Sequence, residues 1–377
     1  MDGCRAFAVR FRSLLVISCT AISTVTAQEP QTVFVAPPEA QQSGELVPQP
    51  TANPFLDEQD PELLSPVPQS PLRGRVRSSA LGPPGNERSP VRFAATWMPG
   101  QQVQGQPTNL ALNGLQANLA VPVRIAPDGR WIWLATSGLE YLQIDTGAIL
   151  PDSLIPVPAE LWKLSVGTMH FRELDNGWST GGLFSVGTAS DRPFADLRDL
   201  TLTSLALLNI PSGSRDAWNF SLFYSPTSQL PFPIPGAAYV WRPSERFSAN
   251  IGVPFSLRYQ PTQAWTLTAD YRPLTAVNLR ASRALGDALN VYARYEIVNE
   301  TYWLAERTNS QDRLYLFDQR AALGIDRALP AGFKLDLSAA YVFDRSIFQA
   351  ESFSDGRRDV LNISPGAAIS LMLLWSR

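Results

Sequence analysis

From Val91 onward, apolar residues recur at every second position in segments of about nine to twelve residues. A period of two places successive side chains on opposite faces of a β-sheet. The clearest segment is Ala264 to Arg272, whose apolar row is Trp265, Leu267, Ala269 and Tyr271. The same alternation occurs in Arg246–Phe255, Ala288–Val298, Phe333–Arg345 and Ala367–Trp375. The pattern predicts an all-β domain over residues 91–377.

Short turn signals separate these segments. Asp175-Asn176-Gly177 is a strong hairpin signal, because Asn and Gly tolerate positive φ. Gly286-Asp287 and Pro330-Ala331-Gly332 connect other neighbouring segments. Turns this short require antiparallel neighbours, since parallel strands need a long crossover. The longer connections are candidates for the outer side of the membrane, and these are 144–159, 189–199, 225–236, 299–311 and 346–358.

A transmembrane β-barrel and a soluble β-sandwich both fit this pattern, and the length of the strands distinguishes between them. Strands in soluble proteins usually have about five or six residues, whereas about nine or more are needed to cross a membrane. Aromatic residues near the strand ends fit the two interfaces of a membrane: Trp97, Trp131, Trp133, Trp162, Trp178, Trp218, Trp241, Trp265, Tyr271, Trp303 and Trp375. We therefore predict an antiparallel up-and-down transmembrane β-barrel of about 12–14 strands. A secreted soluble β-sandwich that binds ligands is the alternative.

The N-terminal segment has the layout of an export signal. A basic start with Arg5, Arg10 and Arg12 precedes an apolar stretch, Leu14–Ile22, and the small residues of Val25-Thr26-Ala27. This predicts a signal peptide over residues 1–27 that is removed on export.

Residues 28–90 differ in composition from the rest of the chain. They hold 13 of the 32 prolines, with few apolar residues. Proline fixes φ and removes a backbone donor, and little apolar surface is available to offset the cost of ordering. We expect an extended, disordered linker that precedes the barrel.

Composition excludes several kinds of chemistry. The only cysteines, Cys4 and Cys19, fall within the predicted signal peptide, and His170 is the only histidine. A zinc site needs several clustered ligands, so we predict no metal. The net charge of -3 gives no basic field for nucleic acid. No phosphate-binding glycine loop is present, and we predict no cofactor and no enzymatic activity.

One enzymatic alternative stays open. His170 and Ser179 flank the Asp175-Asn176-Gly177 turn, so they are candidates to face each other on one hairpin. That arrangement would suit a barrel that hydrolyses lipid. The other interpretation of a lone histidine near a turn is a solvated or interfacial side chain.

The polar row of the strands supplies the candidate functional residues. We predict that eight charged side chains face the lumen: Asp270, Arg272, Arg280, Arg294, Glu296, Lys334, Asp336 and Asp344. Lined up across strands, they would form a selectivity ring for a small solute. Alternatively, they form a salt-bridged interior that fills a narrow barrel. The protein is thus expected to be a passive solute channel or a structural barrel.

The region 247–348 resembles a known family. Ile251-Gly-Val-Pro-Phe255 precedes Trp265-Thr-Leu-Thr-Ala-Asp-Tyr-Arg-Pro273, and Tyr341-Val-Phe-Asp-Arg345 is followed by Phe348. This resembles the DUF6268 family, an uncharacterised group of predicted outer-membrane β-barrels from planctomycetes and related bacteria. The resemblance implies the cell outer membrane and its lipid as surroundings, and insertion by the barrel-assembly machinery. It brings no functional residues, and the oligomeric state stays open.

Overall fold

The structure is a computed structural model, and it describes the C-terminal part of the chain. The described residues are 90–225, 232–272, 276–307, 309–353 and 356–375. Among them, the only helical elements are two short 3-10 turns, Leu197–Asp199 and Pro330–Gly332. No helix in these ranges is long and apolar enough to cross a membrane. The predicted signal peptide and all of the predicted linker except Pro90 lie outside the described residues.

The described residues form seventeen β-strands. They are β1 (Val91–Gln102), β2 (Asn109–Ile125), β3 (Trp131–Thr146), β4 (Glu160–Glu173), β5 (Ser179–Ser190), β6 (Leu200–Ser212), β7 (Asp216–Tyr224), β8 (Ile234–Ser244), β9 (Phe247–Gly252), β10 (Phe255–Tyr259), β11 (Trp265–Arg272), β12 (Ala276–Ala284), β13 (Leu289–Tyr302), β14 (Arg313–Ala328), β15 (Phe333–Ala350), β16 (Arg358–Ile363) and β17 (Gly366–Trp375).

The strands close into one barrel. Each strand from β1 to β15 pairs antiparallel with the next in sequence, and β17 pairs with β1, from Val91 opposite Trp375 to Trp97 opposite Ile369. β16 and β17 both run along β15 and form one interrupted wall strand, so the barrel described here has sixteen strands. Closure leaves no free sheet edge, which is the requirement for a β-protein in lipid. The predicted antiparallel β-barrel is confirmed, and a two-sheet sandwich does not form.

The strand count exceeds the expected 12–14 because the alternating pattern hides a hairpin. The sequence predicts one strand over Arg246–Phe255, but β9 ends at Gly252 and β10 begins at Phe255. Val253 and Pro254 form the turn between them, and the two strands then pair with each other. Proline lacks the N–H that a continuous strand would need at this point.

The two ends of the barrel differ in their connections. At one end, here called the turn end, the connections have two to five residues, and both Val91 and Trp375 lie there. At the other, the loop end, the longest connections are 147–159, 191–199, 225–233, 303–312 and 351–357. All five longer connections expected from the sequence therefore lie on the same side of the barrel.

The outer face of the wall is apolar. Its exposed large side chains include Leu115, Leu139, Val166, Phe220, Leu323 and Leu371, which alternate along their strands with side chains that face inward. Leu323 is 70% exposed. A soluble protein rarely leaves so large an apolar surface in water, so this face is built for lipid.

Aromatic side chains border this apolar surface on both sides. Near the turn end, Trp133, Trp218, Trp241, Tyr259, Trp265 and Phe333 lie exposed on the outer face. Towards the loop end, Tyr141 packs on Trp162 at 4.3 Å between ring centroids, and Tyr341 stacks on Phe343. Among the predicted interfacial aromatics, Trp303 departs from this arrangement, because it is buried just beyond β13.

The spacing of the two aromatic borders matches a membrane. Phe333 and Tyr341 are eight residues apart on β15. At about 3.3 Å per residue and a tilt of about 40°, they are separated by about 20 Å along the barrel axis. The apolar band of outer-membrane barrels is about 25 Å tall. The borders therefore fit the two lipid–water interfaces.

Candidate functional site in the barrel lumen

The inward side of each strand carries the polar row. Asp270, Arg280, Arg294, Glu296, Lys334 and Asp336 all lie on the inward side of their strands. Arg272 ends β11, and its side chain lies outside the description. The structure thus brings the ionic groups of β12 to β15 together in the lumen.

The prediction for Asp344 is wrong. Asp344 lies on the outer face, where its carboxylate accepts a hydrogen bond from Gln319 Nε2 at 2.7 Å. Its backbone has a positive φ of 47°, and the register between β14 and β15 shifts at this point. A β-bulge adds one residue to a strand and reverses the side to which the following residues point. Alternation alone does not reveal that reversal.

Ion pairs fill the lumen near the turn end. Asp326, which is almost fully buried, lies 2.5 Å from Arg280 and 3.1 Å from Lys334. Asp336 accepts a hydrogen bond from the Tyr292 hydroxyl at 2.6 Å, and the Arg280 guanidinium stacks over the Tyr292 ring at 3.6 Å. Buried carboxylates are tolerated only when cations or donors compensate them. The network holds four neighbouring strands together.

A second ionic cluster bridges the lumen. Lys163 Nζ on β4 lies 3.0 Å from Glu140 Oε1 on β3 and 3.2 Å from Glu300 Oε2 on β13. The Tyr302 hydroxyl lies 2.7 Å from both of these carboxylates. β4 and β13 are nearly opposite in the sixteen-strand wall, so these contacts join facing sides of the barrel. We call this cluster the pinch.

The backbone reinforces the pinch. Immediately after β13, the Trp303 N–H donates to the carbonyl of Ala189 on β5 at 2.8 Å, and Trp303 forms a parallel bridge with Ser190. The Lys163 ammonium also lies over the Tyr302 ring, 4.4 Å from its centroid. The loop end of β13, which is still paired with β14 but no longer with β12, therefore reaches across the lumen to β3, β4 and β5.

Apolar side chains fill the lumen on the loop side of the pinch. The connection 147–159 folds into the mouth of the barrel and buries Ala148, Leu150 and Val157. These pack with inward residues from several strands, including Met98, Leu112, Ile144, Leu161, Leu314, Ile347 and Leu361. Gln106 binds this connection like a paired strand, because its amide donates to the carbonyl of Ile149 at 2.6 Å and accepts from the Ile149 N–H at 3.0 Å.

Asp359 fixes the same connection to the final wall strand. The backbone N–H groups of Asp152 and Ser153 donate to Asp359 Oδ1 at 2.8 and 2.7 Å. The Asp359 N–H donates in return to Asp152 Oδ2 at 2.6 Å, and Gln349 Nε2 donates to Asp359 Oδ2. Asp359 is 4% exposed. These contacts hold 147–159 inside the mouth.

A cavity of about 220 Å³ lies in the lumen between β1–β3 and β13–β17. Its polar lining consists of Arg92, Thr96, Gln116, Glu140, Arg294, Glu296, Glu300, Arg320, Asp336, Ser338 and Ser370. Arg320 is held by Asp318 at 2.6 and 2.9 Å. The cavity borders the pinch through Glu140 and Glu300.

The lumen wall on the other side of the barrel is neutral. Asn209 Nδ2 donates to Asn219 Oδ1 at 2.5 Å, Asn219 to Asn250 at 3.4 Å, and Asn250 to the carbonyl of Pro254 at 2.6 Å. Asn209 and Asn250 are buried, as are the inward-facing Ala217, Ala238, Val240 and Ser256. Small and paired side chains therefore line this sector.

The structure does not support the proposed hydrolase pair. His170 lies opposite Gly182, and Ser179 lies opposite Glu173. Glu173, the partner of Ser179, is three residues from His170 on β4, and residues an odd number apart on a strand point to opposite faces. His170 therefore lies on the outer face and Ser179 on the inner face. His170 packs between Trp131 and Trp133, with a centroid distance of 4.4 Å to Trp133. In the described ranges, no group of His, Cys, Asp and Glu is arranged to hold a metal ion.

The family match covers much of the barrel. The model described as Domain of unknown function (DUF6268) matches residues 100–293. The chain belongs to the DUF6268 family. The matched range includes all of Ile251–Phe255 and Trp265–Pro273, whereas Tyr341–Arg345 and Phe348 lie outside it. In this DUF6268 protein, the range runs from β1 into β13 and so includes Glu140 and Lys163 of the pinch.

Several solved barrels are similar to this DUF6268 protein over most of its length. The β-domain of the Bordetella autotransporter BrkA is 13% identical, with 76% of this chain and 99% of that chain covered and a TM-score of 0.29. An outer membrane channel from Pseudomonas putida F1 is 8% identical, with 76% and 95% covered and a TM-score of 0.32.

The translocator domain of the autotransporter NalP from Neisseria meningitidis is 11% identical, with 78% and 90% covered and a TM-score of 0.30. No curated protein matches the chain. The fold of this DUF6268 protein is established by its own strand pairing.

Sequence reasoning missed the residues of the pinch. Glu140 and Lys163 are the only charged residues at inward positions of β3 and β4 between the strand ends. That isolation in the inward row is the sequence feature that could have identified them as candidates. Their partner Glu300 follows the segment that was predicted to end at Val298. Only the closed barrel shows that these three residues meet.

Proposed function

We propose that this protein is an outer-membrane β-barrel that is closed in its resting state and acts as a structural barrel. The single observation that supports this most strongly is the pinch, in which Lys163 links Glu140 and Glu300 across the lumen. The buried connection 147–159 adds an apolar obstruction on the loop side. A permanently open channel would instead need a lumen lined by solvated side chains.

Export through a cleaved signal peptide and insertion by the barrel-assembly machinery belong to the same proposal. The apolar outer face and its two aromatic borders support residence in lipid. Both described chain ends lie at the turn end, and we propose that this end faces the periplasm, which is the usual side of the short turns in outer-membrane barrels. We propose no enzymatic role.

Planar bilayer recordings test the closed barrel. The purified full chain is expected to insert without steady single-channel currents, because the pinch and 147–159 obstruct the lumen. Heat-modifiable mobility on a denaturing gel, with recovery in the outer-membrane fraction, serves as the control for a folded barrel. Reproducible open steps from the unmodified protein would show that the lumen conducts.

A gated passage for small solutes is the second candidate. One observation favours it: the obstruction is held by ion pairs and hydrogen bonds, which exchange reversibly, and a cavity of about 220 Å³ lies directly below it. On this hypothesis, displacement of 147–159 opens a passive route. A disulfide between Asp152→Cys and Asp359→Cys would then abolish currents that appear in the reduced protein.

A further inference from the structure

One arginine that lines the lumen cavity has no direct ion pair. All four carboxylates that line it have a cation within 4 Å. Glu140 and Glu300 share Lys163, Glu296 lies 3.4 Å from Arg294 and 3.8 Å from Arg320, and Asp336 lies 3.7 Å from Arg280. Within the described ranges, Arg92 has no carboxylate partner within that distance. Arg92 therefore reaches the cavity without a direct ion pair, although Glu296 and Asp336 lie close enough to interact with it electrostatically.

Arg294 adds unused hydrogen-bonding capacity beside it. Its Nε is buried and makes no hydrogen bond, although Glu296 lies nearby. A buried N–H of this kind costs free energy until a partner satisfies it. Two guanidinium groups thus line one cavity, one without an ion pair and one whose buried Nε–H lies 3.4 Å from Glu296 but makes no hydrogen bond.

Neutral polar groups complete the lining. The hydroxyls of Thr96 on β1 and Ser370 on β17 lie 3.1 Å apart, and Gln116 and Ser338 also line the cavity. A volume of about 220 Å³ corresponds to roughly seven water molecules. The site therefore suits a compact ligand that accepts several hydrogen bonds.

We propose that this cavity binds a small oxyanion, a carboxylate or a phosphate, between Arg92 and Arg294. Guanidinium groups pair with both anions through directed hydrogen bonds. Arg92 is the second residue of β1 and is exposed, so the ligand enters from the turn end. Binding here is independent of whether the barrel conducts.

Isothermal titration calorimetry of the detergent-solubilised full chain at low salt tests the site, because it measures the affinity of the chain for each probe. The probes are sodium phosphate, sodium acetate and the neutral molecule glycerol. A sodium salt that contains neither phosphate nor acetate is the blank. Arg92→Gln is expected to weaken binding of the anion at least tenfold, equivalent to about 1.4 kcal/mol. Arg124→Gln is the matched control, since it removes the same charge from the outer face, where Arg124 lies over the Trp131 ring.

Each outcome of the titration either supports or refutes the anion site. Binding of phosphate, acetate or both that is lost in Arg92→Gln and kept in Arg124→Gln supports the site and identifies the anion. No binding of either anion at about 10 mM, equal binding by both variants, or equal binding of glycerol refutes it. If Arg92→Gln loses heat-modifiable mobility, Gln116→Leu is used instead, with a several-fold loss expected. Bilayer currents test the closed barrel separately.

Discussion

Replacement of Lys163 by methionine tests the pinch most directly. Methionine keeps much of the length of the side chain and removes the charge that compensates Glu140 and Glu300. The two carboxylates, which both lie 2.7 Å from the Tyr302 hydroxyl, would then face each other without a cation. At a separation of about 5 Å and an effective dielectric constant of about 20, two like charges repel by about 3 kcal/mol.

The expected loss of stability is therefore about 2–4 kcal/mol. The three side chains are 20–30% exposed, so solvent and relaxation place the result in the lower half of that range. The loss is measured as the shift in the free energy of unfolding in guanidinium chloride, with tryptophan fluorescence as the signal. Planar bilayer recordings of the same variant are expected to show currents that the unmodified protein lacks.

Two matched variants make this experiment decisive. Arg130→Met removes the surface pair with Asp175, which lies at 2.5 Å in an exposed turn, and should leave both stability and currents nearly unchanged. Adding Glu300→Gln to Lys163→Met should restore part of the lost stability, because it removes one of the repelling charges. If Lys163→Met costs no more than Arg130→Met and the lumen stays silent, the pinch neither stabilises nor closes the barrel.

Three further outcomes follow from the same geometry. His170→Ala is expected to leave phospholipid hydrolysis at the background of a mock preparation, and a drop in turnover would restore the hydrolase hypothesis. Asp359→Ala removes the acceptor that holds connection 147–159, so limited proteolysis should cut there at least tenfold faster at unchanged global stability; unchanged cleavage would show that apolar packing alone retains it. Leu337→Arg, midway between the two aromatic borders on β15, should destabilise the barrel by about 2–4 kcal/mol. Leu154→Arg, at an exposed side chain of connection 147–159, should have little effect, and equal costs would argue against a lipid-facing β15.

The candidate site was only partly predictable from residues taken one strand at a time. Alternation correctly placed Arg280, Arg294 and Asp336 on the inward row, because the pleat fixes the side of every second residue. It failed for Asp344, where a bulge changes the phase. Arg92 escaped notice because it lies at the start of β1, where alternation has only just begun.

By itself, the sequence determined the class of fold and its relation to lipid. Apolar residues alternate with period two from Val91 onward, the turns are too short for parallel strands, and the strands are long with aromatic ends. A closed antiparallel barrel is the architecture that meets these conditions and satisfies every backbone group in lipid. These are local properties, since each depends on residues close together in the chain. They specify a wall and its lipid-facing side.

Only the tertiary structure decided what the wall encloses. Glu140 and Glu300 are separated by 160 positions, and nothing local to either predicts that one lysine will join them. Their meeting depends on strand number, on closure and on the reach of the loop end of β13 across the lumen, all of which are set by pairings distant in sequence. The same distant pairings bring Asp359 to the connection 147–159 and so determine that the mouth of the barrel is filled.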